Sequence, residues 1–219
     1  MCNNHNLNRR KPKENAHRNA LILYRGVSGN ESDYRGGFVD KLKECAVAFS
    51  NLLNVEYHIT AGKKSNLIEV KLFFSKEHFY HLIGLHKLKD IQKTRGDKAK
   101  IFNKIIADKL TYNDLVKSEF FIDISDRFDY LTSLENMLDS DNVLIKHNKH
   151  KSKSSIQADY IIYTVDEDNI IHYFIERDSN VGKYFGKTFF ARTDRLFLWD
   201  KPYKILKKIK FIDGRISAK

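Results

Sequence analysis

Residues 156–175 read IQADYIIYTVDEDNIIHYFI, and this stretch decides the fold class. Two runs of β-branched and aromatic residues, 156–165 and 170–175, flank the acidic segment 166–169. Such runs on either side of a short polar turn are typical of a β-hairpin, because these side chains suit a pleated, half-buried surface. We therefore predict an antiparallel hairpin in the last third of the chain.

Upstream of this hairpin, apolar residues recur at every third or fourth position, which is the period of a helix. The pattern predicts helices over 38–53, 79–91, 98–109 and 121–138. Ser75 is predicted to be an N-cap, and Thr111 opens a segment that resembles a capping box.

Further β-rich runs lie at 55–60 and 67–74, which form a predicted hairpin, and at 184–192 and 195–199. Residues 203–210 fit a strand or a short helix equally well. Helices before and within an antiparallel sheet predict an α+β fold. No internal repeat suggests a solenoid.

Composition favours one folded domain without a disulfide framework. The chain has 219 residues, of which 42% are hydrophobic, so it can bury a core. We predict a single domain over 20–219 and a basic, mobile tail over 1–19. Cys2 and Cys45 are far apart and support neither a disulfide framework nor a cysteine-based zinc site. No stretch predicts a membrane span or a secretion signal, and we expect a cytoplasmic protein.

The charge balance favours a polyanionic partner. Lysine and arginine number 39 against 28 acidic residues, which gives a net charge of +11. Nucleic acid attracts such a surplus through its phosphates, although a lysine-rich surface can also reflect an AT-rich genome. Residues 146–153, which we call the basic loop, are predicted to contact RNA. The alternative is a charged loop that contacts only solvent, because such a loop would have the same composition. The loop contains Lys146, Lys149, Lys151 and Lys153.

No standard phosphate-binding, hydrolase or metalloprotease motif occurs, and we expect neither a metal nor another cofactor. His78 and His81 have helical spacing but lack a recognisable third ligand. His81 shares a predicted helix face with apolar residues, which fits a cleft edge or an ordinary core histidine. Arg127 flanks an apolar stripe, so it needs a bound phosphate or a structural partner. Ser118 begins the same stripe, where capping is the common role.

Three segments within 38–208 resemble the phage-associated barnase/EndoU/colicin E5-D/RelE-like nuclease group, specifically its fourth subfamily. The first is 79–90, which is similar to the family's aromatic-x-His-Leu-x-Gly-Leu helix. The second comprises 101–106, Thr111 and 118–131, and the third comprises 155–163 with the aromatic pair 189–190. Their order and spacing carry the resemblance.

The resemblance implies helices packed on a curved antiparallel sheet whose exposed face holds substrate. It also implies metal-independent RNA cleavage, in which a base activates the ribose 2′-hydroxyl and cationic groups stabilise the phosphorane. By matching positions, His81 is the acid or base, Arg127 stabilises the phosphate and Ser118 orients either group. We predict that His81 and Arg127 lie at one cleft and act on the same phosphate.

The function predicted from these features is that of a metal-independent endoribonuclease of a phage or mobile element. It would act on structured RNA in a toxin, defence or counter-defence role. The alternative is a catalytically silent inhibitor, anti-CRISPR-like, that binds RNA or a host ribonucleoprotein. A DNA-binding regulator is disfavoured, because no helix-turn-helix pair with a basic recognition helix is predicted. Digestion of RNA separates the first two hypotheses.

Overall fold

The centre of the fold is an eight-stranded sheet, seen in a computed structural model that describes residues 40–166 and 168–217. The predicted tail over 1–19 lies outside the described residues, as do residues 20–39 of the predicted domain. The described residues all lie in one compact unit. The strands are β1 (Val55–Lys63), β2 (Asn66–Phe73), β3 (Val143–Lys146), β4 (Tyr160–Asp166), β5 (Asn169–Arg177), β6 (Tyr184–Arg192), β7 (Lys204–Ile212) and β8 (Arg215–Ile216).

The strand order is β3-β4-β5-β6-β2-β1-β7-β8, and the α+β class is confirmed. Both predicted hairpins are present, as the antiparallel pairs β1–β2 and β4–β5. Neighbouring strands are antiparallel except for β2 and β6, which run parallel and meet at Leu72 and Tyr184. The sheet is therefore mixed, with one parallel junction between two antiparallel parts.

The α-helices that the structure describes are short, and several begin at a polar cap. The Asp40 carboxylate accepts a hydrogen bond from the Lys43 amide (3.0 Å), and the Asp97 carboxylate accepts one from the Lys100 amide (2.7 Å). The predicted N-cap Ser75 and the capping box at Thr111 are confirmed. The helices are α1 (Lys41–Ser50), α2 (Lys76–Leu82), α3 (Lys98–Ile106), α4 (Tyr112–Val116), α5 (Arg127–Tyr130) and α6 (Leu134–Asp139).

Two predicted helices are wrong in length. The helix predicted over 79–91 ends at Leu82, because Gly84 adopts a left-handed backbone with φ of +87°. The helix predicted over 121–138 is divided into α5, α6 and 3₁₀ turns at Phe121–Asp123 and Leu131–Ser133. Its apolar residues are mostly three apart, and that spacing also fits the three residues per turn of a 3₁₀ helix.

Two further segments differ from the sequence-based assignment. Residues 195–199 form turns rather than a strand, and they bury Phe197 against Phe174 with ring centroids 5.1 Å apart. Residues 203–210, which fit a helix or a strand, lie mainly in β7. The four-residue strand β3 was not predicted, since its run is too short to show a period.

The helices cover one face of the sheet and form the main core with it. On β5, Ile171, Tyr173 and Ile175 contribute to this core, whereas Phe174 belongs to a smaller cluster with Ile145, Ile161 and Phe197. This alternation places the smaller cluster on the opposite face. Gly186 on β6 is required by close packing, because a Cβ there would lie 2.4 Å from the Tyr173 hydroxyl oxygen.

Candidate active site

The candidate site centres on His81, which lies in the last turn of α2 and is half-buried. Lys98, the first residue of α3, places its Nζ 2.8 Å from the Nε2 of His81. A protonated lysine has no acceptor, so it donates this hydrogen bond to the imidazole lone pair. The packing of α2 against α3 therefore creates a contact between a histidine base and an ammonium group.

Electrostatics keep this histidine uncharged. Burial lowers the pKa of His81 to about 4, and the positive charges of Lys98 and Lys187 act in the same direction. Lys187 on β6 also pairs with Glu176, with Nζ 2.7 Å from the carboxylate. At neutral pH the imidazole is unprotonated beside two cations. Such a group can accept a proton, and its surroundings favour an anion.

Aromatic rings surround His81. The ring centroids of His81 and His86 are 5.1 Å apart, and those of His81 and Tyr80 are 5.4 Å apart. Lys98 Nζ lies 5.9 Å from the Tyr80 ring centroid, within the range of a cation–π contact. Tyr80 is half-buried and His86 is exposed. The site therefore opens to solvent on the side of His86.

Arg127 meets His81 through the backbone of the histidine. Its side chain is 1% exposed, and its Nη1 donates hydrogen bonds to the carbonyl oxygens of His81 (3.0 Å) and Leu82 (2.8 Å). Burial lowers the pKa of Arg127 to about 10, so the guanidinium stays charged at neutral pH. These contacts hold the C-terminal end of α2. A role for Arg127 in stabilising phosphate stays a prediction.

Ser118 is 7% exposed and closes the turn after α4. Its hydroxyl donates to the Asp90 carboxylate (2.6 Å) and accepts from the Phe120 amide (3.1 Å). The Ser118 hydrogen bond lowers the pKa of Asp90, whose other oxygen accepts from the Glu119 amide at 3.0 Å. These contacts connect Ser118 to a surface turn. Its predicted orienting role stays untested.

The four lysines of the basic loop are exposed, while the loop backbone is ordered by internal hydrogen bonds. The Ser152 hydroxyl donates to the Asn148 carbonyl (3.0 Å), and the Lys151 amide donates to the Asn148 side chain (3.0 Å). Lys151 also forms an ion pair with Asp200 (3.0 Å). The loop presents fixed positive charge, and its contact with RNA remains a prediction.

Lys98 and Lys187 were not predicted as site residues. They lie far from His81 in sequence and reach it only through helix packing and the position of β6. Across residues 40–166 and 168–217, no three or more His, Cys, Asp and Glu side chains form a group that could hold a metal ion. In the same part of the chain, every helix is too short or too polar to cross a membrane.

Comparison with known protein families finds one family that matches this chain. The family described as phage-Barnase-EndoU-ColicinE5/D-RelE like nuclease4 matches residues 41–213, which is most of the chain. Neither a curated protein nor a solved structure matches it. The matched range includes His81, Lys98, Arg127 and Lys187.

Proposed function

Because this chain belongs to the phage-Barnase-EndoU-ColicinE5/D-RelE like nuclease4 family, we propose that it is a metal-independent endoribonuclease centred on His81. The observation that carries the proposal is the contact of the His81 imidazole with Lys98, 2.8 Å between Nε2 and Nζ. An uncharged imidazole beside ammonium groups provides a proton acceptor and a phosphate-binding charge at one place.

The proposed chemistry uses these groups in sequence. A substrate phosphate attracts Lys98, which releases the Nε2 lone pair of His81. His81 takes the proton of the ribose 2′-hydroxyl, and the oxygen attacks the adjacent phosphorus while Lys98 and Lys187 stabilise the added negative charge. The imidazolium then returns its proton to the departing 5′-oxygen. Arg127 fixes the backbone of His81 and acts as a positioning residue.

The substrate and biological role extend the same proposal. The net charge of +11 supports a nucleic-acid substrate, and the family description names phage and nuclease. We propose structured RNA as the substrate and a toxin, defence or counter-defence role for a phage or mobile element. A host ribonucleoprotein is the candidate protein partner.

Digestion of total RNA with and without EDTA tests the activity. We expect cleavage in both conditions, and loss of about a hundredfold or more in His81→Gln, which preserves polarity but removes the base. Asp168→Asn in the exposed turn between β4 and β5 is the matched control, because it also exchanges a titratable side chain for an amide but lies outside the site and the basic loop. Cleavage by His81→Gln at the native rate would show that the base is another residue.

The pH profile separates a catalytic role of His81 from a structural one. Lys98 lowers the pKa of His81, so Lys98→Met should move the acidic limb of kcat/KM from near pH 4 towards higher pH. The variant should also cut more slowly, because a phosphate-binding charge is lost. An unchanged acidic limb would contradict the assignment of the base.

A catalytically silent RNA-binding protein is the second candidate function. It is favoured by the structural contacts of Arg127 and Ser118, since both are engaged in hydrogen bonds that support the fold. This candidate predicts that the wild-type protein protects RNA from added nuclease and produces no cleavage bands. The digestion assay therefore distinguishes it from the enzyme.

A further inference from the structure

A row of aromatic side chains begins on the sheet face opposite the main core and continues onto α2. Phe73 on β2 and Phe211 on β7 are both register partners of Glu56 on β1, so the three side chains lie side by side on one face. The next residue of β1, Tyr57, is fully buried in the main core. Because side chains alternate along a strand, Phe73, Glu56 and Phe211 lie on the other face.

The row continues through α2 to β6. The His78 ring lies edge-on to Phe73, with centroids 5.1 Å apart, and stacks on Phe185, with centroids 4.8 Å apart and planes inclined by 18°. At the other end, the His58 ring lies 4.5 Å from that of Phe211. All these rings are half-buried. We call this set the aromatic row: His58, Phe73, His78, Phe185 and Phe211.

Lysines border the aromatic row. Lys71 is exposed and is the register partner of His58, and Lys187 Nζ lies 5.9 Å from the Phe185 ring centroid. Lys183 pairs with Glu56, whose carboxylate also contacts His58. Burial opposes the charge of Glu56, but its hydrogen bonds with Lys183 and His58 keep its pKa below the ordinary value. The carboxylate is thus neutralised by its own partners, and Lys71 remains available to a phosphate.

The aromatic row ends at the candidate active site. His78 and His81 occupy the same helix one turn apart. Lys187 lies over Phe185 and, after burial and the charge of Lys98, is a further cause of the lowered pKa of His81. Flat, partly exposed rings on a sheet suit the faces of unpaired bases, and adjacent lysines suit the backbone that connects them. Bases within a duplex are already stacked on one another and cannot reach such rings.

We propose that the aromatic row binds unpaired nucleotides by base stacking and leads them to His81. The inference rests on the proposed function and defines its substrate class: the segment at the site is single-stranded, even where the RNA as a whole is folded. Stacking accepts any base, so the row confers preference for strand state rather than for sequence.

Binding of fluorescent oligonucleotides to the full chain tests the inference. A short 2′-O-methyl single strand and the same sequence as a duplex are compared by anisotropy, since this modification blocks the attacking oxygen. Phe73→Leu, Phe185→Leu and Phe211→Leu keep apolar bulk and remove a ring, and each should weaken single-strand binding about tenfold. Trp199→Leu, which removes a 56% exposed ring outside the row, is the matched control and should bind normally.

Thermal unfolding identifies any variant that fails to fold. Because the three phenylalanines lie on different strands, a folding defect in one variant leaves the other two as tests of binding. Native binding by folded row variants, or equal affinity for duplex and single strand, would overturn the inference. These outcomes are independent of cleavage. A protein that binds through the row and cuts nothing refutes the proposed enzyme alone, whereas a nuclease unaffected by the row variants refutes the row alone.

Discussion

Replacing Arg127 tests whether this residue supports the fold or the reaction. Arg127→Met keeps an unbranched apolar side chain of similar shape to the arginine stem but removes the charge and every donor. The carbonyl oxygens of His81 and Leu82 then each lose a charged side-chain donor, at 3.0 and 2.8 Å, and the His81 carbonyl keeps only its backbone donor Gly84. The perturbation therefore acts directly on the C-terminal end of α2, which carries the candidate base.

The magnitude follows from two opposing effects. A hydrogen bond from a charged donor contributes about 1.5–3 kcal/mol, and Arg127 makes two of them. Removing the guanidinium also relieves its Nε, which is buried without a partner among the described residues and costs about 1–3 kcal/mol. We therefore expect Arg127→Met to lower the free energy of unfolding by roughly 3 kcal/mol. In a domain of this size the midpoint should fall by about 6–12 °C.

Urea and thermal unfolding measure this effect. Arg95→Met is the matched control, because Arg95 also donates to a backbone carbonyl, that of Lys89, but from an exposed position. It should change stability by less than about 0.5 kcal/mol. Arg127→Lys keeps the charge and places its donors on a single nitrogen, so its loss of stability should lie between those of the two methionine variants. If Arg127→Met unfolds like the wild type yet no longer cuts RNA, the guanidinium acts on phosphate and the positioning role is wrong.

Three further predictions concern the rest of the chain. Gly186→Ala should lower the free energy of unfolding by about 1–3 kcal/mol, because its Cβ would lie 2.4 Å from the Tyr173 hydroxyl, and urea titration measures the loss. Replacing all four lysines of the basic loop by alanine should flatten the log–log dependence of RNA affinity on salt, and an unchanged slope would indicate a solvated loop. Burial lowers the pKa of His172 in the folded protein from 6.5 to about 4. As the pH falls, the unfolded chain therefore takes up a proton at this histidine before the folded chain does. Stability should drop between pH 6.5 and 4, and His172→Leu should reduce that drop by on the order of 3 kcal/mol, with exposed His150→Leu as the control.

The sequence predicted the strands better than the lengths of the helices. Both hairpins were predictable because a polar turn separates two runs whose β-branched and aromatic residues favour strands over helices. The helix over 79–91 was predicted too long because a glycine within an apolar pattern stops a helix only if the fold gives it a left-handed backbone. The helix over 121–138 was overestimated because a spacing of three residues fits both α and 3₁₀ geometry.

The candidate site was predictable only in part. His81 could be selected from its place in an apolar pattern and from the family resemblance. Lys98 could not, since the packing of two helices places it against His81. The aromatic row depends on strand register, which brings Phe73 and Phe211 beside the same residue of β1. No local pattern in the sequence contains that information.

The segment from His81 to Gly84 shows why the histidine side chain remains available for chemistry. Gly84 ends α2 and donates its own amide to the His81 carbonyl (3.2 Å), and Arg127 adds a side-chain donor to that carbonyl and to the carbonyl of Leu82. It also admits Arg127, because a Cβ at Gly84 would lie 3.0 Å from Nη1 and 2.5 Å from the Ile124 side chain. The backbone of His81 is thus held by Arg127, while its imidazole contacts Lys98 and His86 on the other side. Because one part of the residue supports the fold and the other meets cations and solvent, replacing the imidazole should affect the reaction far more than stability.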